Sequence, residues 1–216
     1  MIVTTRNMKG GVGKTTLSMN LLAAAQPGAC LIDVEEEECA QWRQRGRRFS
    51  KSSFTNSRMA EADSEEKLHR LLSEAQRRRW STIINTPGER ATPLIREAVK
   101  ASTLVLIPLT GDQVELPRTL KTIEEVQQSG ADFLLVLNKV MPRVAGRDAR
   151  STADIREMLQ PYRKHLWSGQ ITRTLLFNRA AIAGVSVFDF TNPPPAAAEV
   201  SELWRAIVQR ARTSQN

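Results

Sequence analysis

Cysteine is scarce in this 216-residue chain, which holds two, Cys30 and Cys39. They show no metal-ligand spacing and no secretory context, so a reduced, cytoplasmic compartment is expected. No apolar run approaches the roughly 20 residues of a membrane-spanning helix. No secretory leader is expected either, because Met1 opens a strand that the next loop needs. Internal repeats are absent, as is any motif for reading base edges. Any contact with nucleic acid should therefore be sequence-independent.

Acid is in shorter supply than base. The chain carries 31 Lys and Arg against 23 Asp and Glu, a formal net charge of +8. The imbalance is concentrated after Asn138, where twelve basic residues face six acidic ones. Such asymmetry suggests a surface for a polyanion. The competing reading is a set of arginines spread over solvated helices.

What is present alternates. Apolar runs suggest strands at Ile2–Thr5, Ala29–Asp33, Ser81–Asn85, Thr103–Leu109 and Phe133–Asn138. Between them, helices are expected near Thr15–Ala25, Ser64–Arg78, Pro93–Lys100, Val114–Gln128 and Asp148–Leu159. A last helix is expected from about Ala196 to Arg210, with Val200, Leu203, Trp204, Ile207 and Val208 on one face. Arg43–Asn56 is polar and aperiodic and is expected to be irregular. The alternation implies an α/β domain, a mostly parallel twisted sheet flanked by helices on both faces. A single domain over residues 1–216 is expected, since this length suits one three-layer core.

The segment Lys9-Gly10-Gly11-Val12-Gly13-Lys14-Thr15-Thr16 lies between the first strand and the first helix. Glycines there allow positive φ and let backbone N–H groups crowd an anion. The helix start adds unpaired N–H groups and the positive end of its dipole. Lys14 is placed to reach the β and γ phosphates of ATP, Thr15 to ligate Mg²⁺ and Thr16 to reach the α-phosphate. The plain phosphate-loop pattern needs a glycine at position 8, where Met8 stands. A second lysine, Lys9, precedes the glycines instead.

This arrangement resembles the deviant Walker A loop of the ParA/MinD ATPases, P-loop NTPases in which the early lysine crosses a dimer interface to the partner's nucleotide. The resemblance covers nearly the whole chain, and Gly184-Val185-Ser186-Val187-Phe188-Asp189 is similar to the Gly-x-Ser-Val-Phe-Glu stretch of small ParA proteins. It implies an ATP hydrolase with Mg²⁺, catalytic roles for Lys9 and Lys14, and an ATP-dependent homodimer. No N-terminal helix-turn-helix domain is expected, because the loop begins at Lys9. Two cysteines without pattern speak against the iron–sulfur relatives of the fold.

The family pattern then locates other candidates. After the second strand it has Asp-x-Asp-Pro-Gln. Here Asp33 matches the first Asp, near the Mg²⁺ shell, and Glu35 stands where the second orients the attacking water. Glu37 and Glu38 are expected to form a solvated acidic turn. After the third strand the family has an Asp that holds Mg²⁺ through water. Asn85 stands there, able to hydrogen-bond a metal-bound water but without charge. With Glu35 it implies slow turnover, below the usual ~10 s⁻¹. Asn138 ends a strand that reaches the adenine in relatives, an ordinary strand-end turn being the other reading.

Three functions follow from the resemblance. The first is DNA partition by a nucleoid-associated dimer that binds double-stranded DNA without sequence preference. Arg143, Arg147, Arg150, Arg173 and Arg179 are its candidate contacts. A centromere-binding partner, ParB-like or of the small ribbon-helix-helix type, would stimulate hydrolysis. The second is positioning of another cargo, a protein assembly or conjugation complex. The third is a MinD-like membrane regulator, disfavoured by the polar tail after Arg210; no membrane contact is expected.

Overall fold

The computed structural model describes residues 1–34, 38–46, 52–88, 91–192 and 194–213. Seven parallel strands form its sheet: β1 (Ile2–Thr5), β2 (Ala29–Val34), β3 (Arg58–Ala62), β4 (Ser81–Asn85), β5 (Leu104–Leu109), β6 (Phe133–Val140) and β7 (Ile171–Thr172). Their order across the sheet is β3-β2-β4-β1-β5-β6-β7. The helices are α1 (Lys14–Ala24), α2 (Glu38–Gly46), α3 (Glu65–Arg77), α4 (Pro93–Lys100), α5 (Leu116–Ser129), α6 (Arg150–Met158), α7 (Leu175–Ala183) and α8 (Pro195–Thr213).

Central strands buried on both faces read as continuous apolar runs, and their alternate side chains sort into different cores. Leu31, Ile83, Leu104 and Val136 pack with α1 and α8. Ile32 and Ile84 point the other way, to Leu68 of α3 and Ile95 of α4. Val105, Ile107 and Leu135 meet Ile123 of α5 and Ile155 of α6. Val200, Leu203 and Ile207 of α8 are wholly buried, so the apolar stripe of the last helix belongs to the core. No helix among the described residues is long and apolar enough to cross a membrane.

Elements beyond the expected ones explain the polar stretches. The expected irregular segment from Arg43 is corrected, because α2 continues through Gly46. This helix is polar, yet Cys39, Trp42 and Gly46 are buried against α7. The Trp42 indole N–H donates to the Val185 carbonyl at 3.0 Å, and Arg45 donates to the Ala181 carbonyl at 2.9 Å. Gly46 and Gly184 cross so closely that a Cβ on either would collide with the other's backbone. The Gly184–Asp189 stretch is a structural pin. Ser186 and Asp189 cap each other's turn, Asp189 accepts from Ser53, and the Val187 N–H donates to Asn20 of α1 at 3.0 Å.

Parallel strands put all their C-terminal ends on one edge, where ligands of open α/β sheets bind. Thr5 and Asp33 both flank Asn85 in register. The loop after β1, Asp33, Asn85 and the end of β6 therefore meet there.

Candidate functional site

The loop from Met8 to Lys14 is built by its glycines and held by its neighbours. Gly11 and Gly13 take φ of 79° and 91°, values an L side chain rarely adopts. Asn7 anchors the entry, donating to the Pro108 carbonyl at 2.8 Å and to Thr119 of α5 at 3.1 Å. The Met8 N–H donates to Thr122 of α5 at 3.0 Å. From the far side, Asn138 donates to the Val12 carbonyl and Lys139 Nζ to the Gly11 carbonyl, both at 2.7 Å. Lys139 sits at φ 57°, a costly conformation of the kind that gathers at functional sites. A Cβ at Gly13 would lie 2.5 Å from the Asn138 amide, so this glycine is needed for the close approach as well as for its φ.

Satisfying these carbonyls from behind leaves the loop's N–H groups to serve an anion. Lys14 is 7% exposed, and its ammonium lies 3.3 Å from the Lys9 carbonyl. The loop after β4 closes over it: a Cβ on Gly88 would come within 2.9 Å of Lys14 Nζ and 3.1 Å of Gly10 Cα. Lys9 extends sideways, its ammonium 3.5 Å from Glu115, which also accepts from Thr110 at 2.7 Å. Gly10 and Val12 complete the loop, and Thr16 faces a cavity of about 970 Å³. Asn138, Met141, Arg173, Leu175 and Phe177 also line that cavity.

Asp33 and Asn85 form one buried network. Asn85 Nδ2 donates to Asp33 at 2.8 Å, and its Oδ1 accepts from Ser18 at 3.2 Å and from Thr5 at 3.4 Å. The second Asp33 oxygen accepts the Cys39 N–H at 3.0 Å. Burial pushes the Asp33 carboxyl above its ordinary range, against the pull of its bonds from Asn85 and Cys39. The solvated turn expected at Glu38 is corrected in part, since this exposed carboxylate accepts the Thr15 hydroxyl at 2.7 Å. Glu35 and Glu37 lie outside the described residues.

The network explains why an amide suits position 85: it donates to a carboxylate already starved of water. Asn85→Asp would place a second carboxylate there, and one of the pair would keep a proton. A folded-state pKa raised above the unfolded value gives stability that is fully present below the unfolded pKa and lost as pH rises through the folded one. Each unit of that rise costs about 1.4 kcal/mol at high pH. The variant should therefore melt well below the parent at pH 8, with the deficit narrowing steadily as pH falls toward 4, measured without Mg²⁺. An equal deficit across that range would refute the shared-proton account.

Hard oxygen donors suit Mg²⁺, and the Thr15 hydroxyl, Glu38 and Asp33 gather at this end of α1. Among the described residues no group of three or more His, Cys, Asp or Glu converges to hold a metal, so an ion here would rely on Thr15 and on phosphate oxygens.

The candidate arginines are scattered in role. Arg143 is tied to Asp148 at 2.6 Å and to the Ser168 carbonyl at 2.9 Å. Burial raises the Asp148 carboxyl, but Arg143 and Arg156 outweigh it and hold it below its ordinary range. Arg173 is exposed and lines the cavity, and Arg147, Arg150 and Arg179 are exposed as well.

No family model matches the chain. It is 26% identical over 196 residues to a maintenance of carboxysome distribution protein A from Gloeobacter kilaueensis, covering 88% of this chain and 84% of that one. A protein of the same name from Halothiobacillus neapolitanus is 25% identical over 211 residues, 94% of each chain. Among solved structures, MinD in the Aquifex aeolicus MinC:MinD complex matches at a TM-score of 0.75 and 14% identity, over 96% of both chains. A putative plasmid partition protein from Borrelia burgdorferi bound to AMPPNP matches at 0.69 and 16%, over 97% and 98%. An ATP complex of a McdA variant from Cyanothece matches at 0.68 and 15%, over 96% of both. With its all-parallel sheet and the glycine loop after its first strand, the chain shares the fold of these MinD, McdA and plasmid partition structures, and its sequence is similar to the two carboxysome distribution proteins over most of their length.

Proposed function

We propose that this chain is an ATP-switched positioning ATPase whose cargo is a large protein assembly, in preference to a plasmid. Two relatives named for carboxysome distribution align along most of the chain at the higher identities. Partition proteins match through their folds at 13% and 16%. The observation that carries the ATP-switched part is the loop itself, with Lys14 inside it and Lys9 directed away from it.

In this reading phosphates lie on the N–H groups of Gly10–Thr16, with the Lys14 ammonium among them. The base and ribose occupy the cavity beside Thr16 and Asn138, which is large enough for a nucleoside. Bound Mg²⁺ would neutralise charge on the phosphates, held by Thr15. Lys9 leaves Glu115 to reach a partner's phosphate, and two such exchanges close the dimer. Asp33 sits behind this centre as a positioning group, since its oxygens are engaged by Asn85 and the start of α2.

The dimer then holds DNA through phosphate contacts. All five candidate arginines are exposed, but Arg143 serves its own loop through Asp148 and Arg173 lines the nucleotide cavity, which leaves Arg147, Arg150 and Arg179 for DNA. DNA binding should require ATP, be lost with ADP, and fall steeply between 50 and 200 mM salt. Neutralising Arg147, Arg150 and Arg179 should flatten the log–log salt slope by about 0.9 for each contact removed per dimer. Equal binding in all nucleotide states would refute the switch. Plasmid loss on deletion of the chain, without mislocalisation of an assembly, would return the reading to partition.

A further inference from the structure

We infer that Glu38 is the positioning carboxylate of the magnesium site, acting through the Thr15 hydroxyl; the inference rests on the ATPase reading. A hydroxyl that ligates a cation turns a lone pair to the metal and must send its hydrogen elsewhere. Partners of this outer kind orient a ligand and raise its basicity. The Thr15 hydrogen goes to Glu38 Oε2 at 2.7 Å, the length of a charge-assisted O–H···O⁻ bond.

The placement is enforced from below. Asn85 donates to one Asp33 oxygen, and the other accepts the Cys39 N–H, which fixes the first turn of α2. Cys39 is 1% exposed, locking the backbone next to Glu38. Glu38 therefore starts its helix facing Thr15, where the first turn also favours a negative charge. Asn85 brings no charge to the site; it donates to Asp33 and accepts from Ser18 and Thr5. Asp33 is 1% exposed, and its two oxygens are engaged by the Asn85 amide and the Cys39 N–H. Among the described residues, Glu38 is the exposed carboxylate in contact with the Thr15 hydroxyl. It supplies the charge at the point where the metal-binding hydroxyl is oriented.

The test uses Mn²⁺ in place of Mg²⁺, with ADP, and reads free Mn²⁺ by electron paramagnetic resonance. Glu38→Gln should raise the Mn²⁺ half-saturation about 10–100-fold, as loss of an outer partner does elsewhere. Glu38→Asp, which keeps the charge, should fall between parent and Gln. ADP affinity in EDTA should not drop in either variant. Thr15→Ala should weaken Mn²⁺ by itself, and adding Glu38→Gln should cost little more. A Gln variant within twofold of the parent would overturn the inference. So would a further tenfold loss on Thr15→Ala, which would mean that Glu38 acts independently of that hydroxyl. A parent that binds ADP in EDTA but takes up no Mn²⁺ would overturn it and leave nucleotide binding standing; a parent that binds no nucleotide would remove the function as well.

Discussion

Lys9→Ala should bind ATP within about twofold of the parent and yet lose its ATP-dependent dimer, with the dimer Kd rising at least a thousandfold. The first half follows from the loop. Lys14 lies inside it, whereas Lys9 points out to Glu115, and that pair is 32% and 21% exposed at its two side chains. Exposed pairs of this kind contribute about 0–1 kcal/mol, so the fold should tolerate the change. The second half follows from symmetry. A two-fold interface loses the same contact twice. Removing one partner of a desolvated charge pair costs about 2–5 kcal/mol, so two losses reach at least about 4 kcal/mol, or three decades. Sedimentation with a slowly hydrolysed ATP analogue measures it. Glu115→Gln should shift the dimer the other way, by a few-fold, because it frees Lys9 from its own subunit. A Lys9→Ala dimer of parental affinity would end the crossing role.

Much of the fold was legible, for a reason visible in the strands. β1, β2, β4, β5 and β6 are covered on both faces, so Leu31–Ile32, Ile83–Ile84 and Leu104–Ile107 had to be apolar without interruption. β3 escaped notice because it is an edge: Arg58 and Glu61 are exposed, as charged residues on edge strands often are. β7 has two residues and no pattern to show. α2 hides for a different reason. Its helix is sustained by three inward positions, Cys39, Trp42 and Gly46, and by bonds to the Ala181 and Val185 carbonyls, more than 130 residues away.

The same division runs through the site. Glycines and lysines announce the loop because positive φ and phosphate charge demand particular residue types. What braces it does not announce itself. Asn138 and Lys139 donate to the carbonyls of Val12 and Gly11, 126 and 128 residues away, and a carbonyl is present at every position. Glu38 looked like one more acid in a run of four until the turn of α2 set it on Thr15. Counting arginines likewise located a basic region without revealing that Asp148 takes up both Arg143 and Arg156.

The last prediction concerns Arg6, which no motif singled out. Its side chain is wholly buried at the end of β1 and forks onto Glu125 of α5, at 3.0 and 3.3 Å, while Nη1 donates to the Pro87 carbonyl at 3.2 Å. A guanidinium suits this seat because it is planar and can serve three acceptors at once. Arg6→Met keeps much of the volume but strands a carboxylate that is 14% exposed and leaves the Pro87 carbonyl without this donor. Breaking a buried pair from one side costs about 3–5 kcal/mol, a fall in melting temperature of roughly 10 °C for a chain of this size. Adding Glu125→Leu removes the stranded charge and should restore most of that stability, since apolar replacements of buried pairs are often neutral. Nucleotide affinity should not return with it. Pro87 precedes Gly88, whose Cα has no room for a side chain beside Lys14 Nζ, so a loop freed from Arg6 no longer holds the ammonium in place. Recovery of melting temperature and nucleotide affinity together in the double variant would show that Arg6 serves the core alone. Recovery of the first without the second would make it the tie between the phosphate loop, the loop after β4 and α5.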